Sequence, residues 1–137
     1  MGAPLELLRR VPLFDGVDDK HLKRIADTFT ERSFTAGQEL VVEGSGGVGF
    51  FVIESGEARV SVEGEPRRDL GAGNYFGEVA LIDGGARTAT VTALSDGKMY
   101  GITSWQFRPL VEANASIAWP LLEAMAKRTR ELDAHQH

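Results

Sequence analysis

Residues 50–62 read FFVIESGEARVSV. Two β-rich runs, FFVIE and ARVSV, flank Ser55-Gly56, and that pattern predicts two strands joined through the pair. Similar short runs lie on both sides: ELVVE at 39–43, TATVTAL at 88–94 and KMYGIT at 98–103. Most of the sixteen glycines fall between residues 32 and 103, where turns need positive φ. Short strands at this spacing predict an antiparallel sandwich or barrel over 32–103.

Helices are expected at both ends. In DDKHLKRIADTF, Leu22, Ile25, Ala26 and Phe29 recur at i, i+3, i+4 and i+7, one face of a helix that Asp18 can cap. Leu5, Leu7 and Leu8 come before a break at Pro12 and Gly16. After the strands, Ser104 is the expected cap of SWQFRPLVEA, with Pro109 bending or limiting that helix. In the last helix Leu121, Leu122, Met125, Thr129 and Leu132 fall on or near one stripe. Pro120 is expected at the first helical position, where its missing N–H costs nothing. The expected layout is N-terminal helices over 1–31, an antiparallel β-barrel over 32–103 and two C-terminal helices over 104–137, all one domain. The last stripe is expected to pack mainly on the chain's own core, with a dimer seam as its other use.

Composition narrows the function. Hydrophobic residues make up 42% and charged residues 26%, values of a soluble globular protein. No apolar run reaches the ~20 residues that span a bilayer, and MGAPLELLRR lacks the apolar core of a signal peptide. Absence of cysteine removes disulfides, thiolate metal sites and cysteine nucleophiles. A net charge of −5, with basic pairs scattered at Arg9-Arg10, Arg67-Arg68 and Lys127-Arg128, argues against nucleic-acid binding by this chain alone. The expected location is the cytoplasm. His21 reads as a structural or surface residue, and His135 and His137 lie in a polar tail, so no metal site is expected. Neither a Ser–His–Asp set nor a carboxylate pair stands out, so catalysis has no support. Asn114-Ala115-Ser116 matches a glycosylation pattern short enough to arise by chance.

Chemistry concentrates in residues 74–93, NYFGEVALIDGGARTATVTA. Gly77 allows a ligand close to the backbone, and the free N–H groups of a turn beginning there form a small anion site. Arg87 adds a guanidinium fork suited to phosphate, and Thr88 a hydroxyl beside it. Glu78 would repel phosphate and suits a neutral donor such as a sugar hydroxyl. Together these describe a phosphorylated nucleoside. A Glu78–Arg87 salt bridge that merely closes a turn explains the same spacing.

FGEVAL followed by ARTATV resembles the phosphate-binding cassette of cyclic nucleotide-binding domains. The flanks resemble that family too: VPLFDGVDDKHLKRIA its N-terminal helices, AGQELVVEG and FFVIESGEARV its early strands, LLEAMAKRTREL its final helix. The resemblance covers nearly the whole chain and extends to the sensor domains of catabolite activator-type regulators and of protein kinase A regulatory subunits. It implies a jelly-roll barrel and a non-catalytic ligand sensor. Glu78 would bind the ribose 2′-hydroxyl and Arg87 the cyclic phosphate. Phe76 leads the motif, Gly77, Glu78, Val79 and Ala80 would offer backbone groups, and Thr88 and Ala89 would complete the phosphate wall. The implied ligand is cAMP, with cGMP as the alternative, and no cofactor is expected. The implied partner is a protein or a second copy, met through the C-terminal helix.

Three departures stand out. Ala86 replaces the family's usual proline, leaving a less rigid turn before Arg87 and an expected loss of affinity. Gly46, Gly47, Val48 and Gly49 replace a loop that is commonly acidic. The helix-turn-helix domain of the family's bacterial transcription regulators is not expected within this sequence. Rival readings are a protein–protein interaction module with a degenerate site and a regulatory piece of a larger protein.

Overall fold

The computed structural model describes residues 2–44, 49–77 and 88–136, the last four of these as helical backbone only. The N-terminal layer comprises α1 (Leu5–Leu8), a 3₁₀ turn (Pro12–Phe14) and α2 (Asp19–Thr28). Asp18 caps α2 as expected, its carboxylate accepting from the His21 amide at 2.9 Å. His21 turns its Nδ1 to the same carboxylate, a structural role that matches its sequence reading.

Eight described strands follow: β1 (Thr30–Phe34), β2 (Glu39–Val41), β3 (Gly49–Ser55), β4 (Ala58–Val62), β5 (Glu65–Leu70), β6 (Tyr75–Phe76), β7 (Thr90–Ala93) and β8 (Gly97–Thr103). They form two antiparallel sheets, ordered β1-β8-β3-β6 and β2-β7-β4-β5. The fold is mainly β with flanking helices, as expected. The turn at Ser55-Gly56 does join two strands, but it carries the chain from the first sheet to the second. Gly56 sits there at φ 88°, where a Cβ would meet the Asp96 carbonyl at 2.7 Å.

Period-two alternation divides the first sheet into two faces. Phe50, Val52, Tyr100 and Ile102 face the helices and join Leu8, Phe14, Leu22, Ile25, Phe29, Phe107, Ile117 and Leu121 in one core. Ile53 and Met99 point the other way, into a second core between the sheets with Phe34, Val60, Leu70, Phe76 and Val91. Each large side chain buried this way contributes about 1.5–3 kcal/mol.

β1 and β5 carry no strong strand signal in the sequence. Both are edge strands, and their side chains are exposed except for the final Phe34 and Leu70. Pro66 is tolerated in β5 because an edge strand need not donate on its outer side.

At the C-terminus, α3 (Ser104–Ala113) and α4 (Ala115–Gln136) complete the helical layer. Two expectations need correction here. Thr103, not Ser104, caps α3. Its hydroxyl accepts from the Gln106 amide at 3.3 Å, while Gln106 Oε1 accepts from the Thr103 amide at 3.0 Å, a reciprocal capping box. Pro120 lies inside α4 rather than at its first position. The missing amide would have served the carbonyl of Ser116, an exposed residue that water can satisfy. The ring itself packs on Gly16, where an added Cβ would lie 3.0 Å from the Pro120 Cβ. The apolar stripe of α4 also splits: Leu121 is buried, while Leu122 and Leu132 are more than half exposed.

Candidate functional site

The motif region is rooted in both sheets. Its first root is β6, paired with β3 so that Phe76 faces Phe51 and Tyr75 faces Val52. The approach to β6 is tied down by its backbone. Gly73 donates to the Ile53 carbonyl at 2.8 Å, and Ile53 donates to the Asn74 carbonyl at 2.9 Å. Asn74 Oδ1 accepts from the Gly71 amide at 2.8 Å, closing the turn in the manner expected of asparagine.

The two residues of β6 point to opposite faces. Phe76 is buried between the sheets, its ring 5.3 Å from that of Phe51 and inclined by 30°. Tyr75 faces the helices, 6.0 Å from Phe50, and that ring in turn makes edge contacts with Phe14 and Phe29. Tyr75 also lines a groove of about 520 Å³ between the 3₁₀ turn and α4, beside Pro12, Pro120 and Met125. The strand that leads into the motif therefore touches the sandwich interior with one residue and the C-terminal helix groove with the next.

Gly77 follows at φ 90°, a conformation that glycine adopts readily and other residues rarely. Glu78, Val79, Ala80 and Arg87, together with Ala86, lie outside the described residues. The chain is described again from Thr88, which is exposed, and Ala89, which is half-buried against the inter-sheet core. Thr90 then opens β7 between β2 and β4. Its hydroxyl accepts from the Glu43 amide at 2.9 Å, fastening this second root to the end of β2. Of the residues that the motif singled out, Phe76, Gly77, Thr88 and Ala89 are thus placed at the two roots. Gly46, Gly47 and Val48 also lie outside the described residues. Gly49, expected in that loop, is the first residue of β3.

Between the roots the sandwich offers an apolar interior of Ile53, Val60, Leu70 and Val91. Sequence reasoning missed Phe51, Tyr75 and Thr90. Alternation in β3 was the available signal for Phe51. The sequence held no signal for the bond from Glu43 to Thr90, which joins segments far apart in the chain. Among the described residues no group of His, Cys, Asp or Glu is arranged to hold a metal ion. No described helix is long and apolar enough to cross a membrane.

The cyclic nucleotide-binding domain model matches residues 31–114. The chain belongs to that family. An uncharacterised NTE-family protein of Mycobacterium tuberculosis is 33% identical over 125 residues, which are 90% of this chain and 21% of the relative. The chain thus spans about a fifth of the length of that relative. Among solved structures, the N-terminal domain of a transcriptional regulator from Streptomyces coelicolor superposes with a TM-score of 0.85 at 28% identity, covering 93% of this chain and 95% of that one. The regulatory domain of Toxoplasma gondii PKA, solved with cAMP, superposes with a TM-score of 0.71 at 31% identity over 77% of this chain and 42% of that one.

Proposed function

We propose that this domain binds a cyclic nucleoside monophosphate, cAMP in preference to cGMP, as a reversible, non-catalytic sensor. The observation that carries the reading is the junction at Phe76-Gly77. A buried aromatic anchors the strand, and the next residue adopts a positive φ at the point where the FGE motif begins. In the proposed complex the Gly77–Ala80 backbone and Arg87 hold the phosphate, Glu78 accepts from the ribose 2′-hydroxyl, and Thr88 and Ala89 close the wall. No metal or cofactor takes part. The preference for cAMP rests on likeness to the kinase regulatory domain solved with that ligand.

The response would pass along β6. Ligand on the motif biases the position of Phe76, Tyr75 moves with it on the opposite face, and Tyr75 lines the groove under α4. Ligand thereby shifts the population of α4 positions. The outer face of α4, with Trp119 66% exposed and Leu122 59% exposed, suits a protein partner or a second copy.

Calorimetric titration with cAMP and with cGMP tests the reading, using Arg87→Ala as control and protein freed of carried-over nucleotide. Saturable binding that Arg87→Ala weakens by roughly 2–5 kcal/mol supports the site. Equal binding by the variant removes Arg87 from it. No heat from folded protein with either nucleotide favours an interaction module with a degenerate site.

A further inference from the structure

The sandwich is open along a second seam. β1 ends the first sheet and β2 ends the second, and among the described residues the two edges do not pair. Between them lies a cavity of about 490 Å³, within the range that small-molecule sites occupy.

Its floor is aromatic. Gly101 and Gly49 leave room for the Phe51 ring, which a Cβ at either position would approach within 2.5 and 2.9 Å. The same ring stacks on Phe76, so Phe51 stands between this cavity and the root of the nucleotide motif. Leu40 and Val41 of β2 form the facing wall, and Trp105, 65% exposed, stands at the rim. Two charged side chains complete the lining: Arg32 on one edge strand and Glu39 on the other. Both are exposed, and neither forms an ion pair with a described residue.

Opposite unpaired charges above an aromatic floor select a ligand by three features. Arg32 favours an anionic group and provides a fork suited to a carboxylate. Glu39 disfavours ligands of net negative charge, phosphates among them, and favours an ammonium. The Phe51 ring and the Leu40–Val41 wall favour a flat apolar group. We propose that this seam is a second ligand site, selective for a small zwitterion with one aromatic ring, of which a free aromatic amino acid is the simplest case. The carboxylate pairs with Arg32, the ammonium with Glu39, and the ring lies against Phe51.

Trp105 fluorescence in the full chain carrying Trp119→Phe provides the readout, which needs no nucleotide. Three probes are titrated: L-phenylalanine, benzoate and phenethylamine, the last two bearing one charge each. Saturable binding is expected, with phenylalanine tighter than either single-charge probe by about tenfold, the factor that one charge-assisted contact supplies. Arg32→Gln should weaken phenylalanine and benzoate by a similar factor and tighten phenethylamine, which no longer meets a like charge. Glu39→Gln should weaken phenylalanine and phenethylamine and tighten benzoate, which no longer meets a like charge. Both residues are exposed, so the variants should melt like the parent. A response that never saturates would overturn the proposal. So would equal affinity for all three probes, or indifference to both substitutions in variants shown to be folded.

Discussion

The two sheets share one interior and differ in what lies behind them. The first has helices at its back, so residues on both faces of β3 and β8 are buried and their sequences run almost continuously apolar. The second has water at its back. There Arg59 of β4 faces Asp69 of β5 across the strands, with hydrogen bonds of 2.8 and 3.2 Å, and β5 is exposed over five of its six residues. The motif is rooted in one strand of each sheet, so it joins the covered sheet to the bare one. Among the described residues, Tyr75 is the one that leads from the root of the motif to the helical layer.

This contrast is easiest to break at Phe50. Its side chain is fully buried between Phe14, Phe29 and Tyr75. Phe50→Ala should cost about 3–5 kcal/mol in denaturant unfolding. A loss below about 1 kcal/mol would mean that the helices add little to the first sheet.

Tyr100, on the same covered face, comes next. Burial and the nearby Glu54 and Glu31 carboxylates push its phenol up to about 12 from its usual 10. A raised folded value means that the folded state binds the proton more tightly than the unfolded chain. The contribution is therefore complete below pH 10 and is lost as pH rises through 12. Relative to Tyr100→Phe, the natural protein should lose stability across that window. Absorbance titration of the tyrosines checks the cause, since Tyr100 should ionise about two units above an exposed phenol.

Gly77 sharpens the comparison at the motif itself. Gly77→Ala places a Cβ at φ 90° and should cost about 1–2 kcal/mol of stability. Nucleotide affinity should fall in the same variant, because the backbone at the start of the proposed anion site must shift. Unchanged affinity would separate the motif from the conformation of Gly77.

The smallest effect belongs to the bare face. Arg59 holds the Asp69 carboxyl below its usual range through their hydrogen bonds, but both groups are solvent-exposed. Arg59→Ala should leave the melting temperature within error, and a clear drop would show that the outer face of the second sheet is not idle.

What was legible in the sequence follows the same division. α2 could be read because its apolar face repeats at helical spacing behind a capping aspartate. β3 and β8 could be read because burial on both faces demands apolar runs. β1 and β5 could not, since edge strands with exposed side chains need no apolar pattern, and backbone pairing alone defines them. Thr103 was within reach, because Thr103 and Gln106 have capping-box spacing, yet the neighbouring Ser104 offered an equally plausible hydroxyl. Pro120 was out of reach. A proline inside a helix is tolerated only where the lost carbonyl partner finds water and the ring finds space, and the space comes from Gly16 across the fold.

By itself the sequence determined the family and the mainly β architecture between helices, and it named the candidate residues of the nucleotide motif. These are local properties: periodicity, turn chemistry and a contiguous string of residue types. Tertiary structure alone decided which strands share a sheet, that adjacent Tyr75 and Phe76 serve different cores, and that Arg32 and Glu39 line one cavity. Each of these depends on the packing of segments distant in the chain, and no local spacing encodes it.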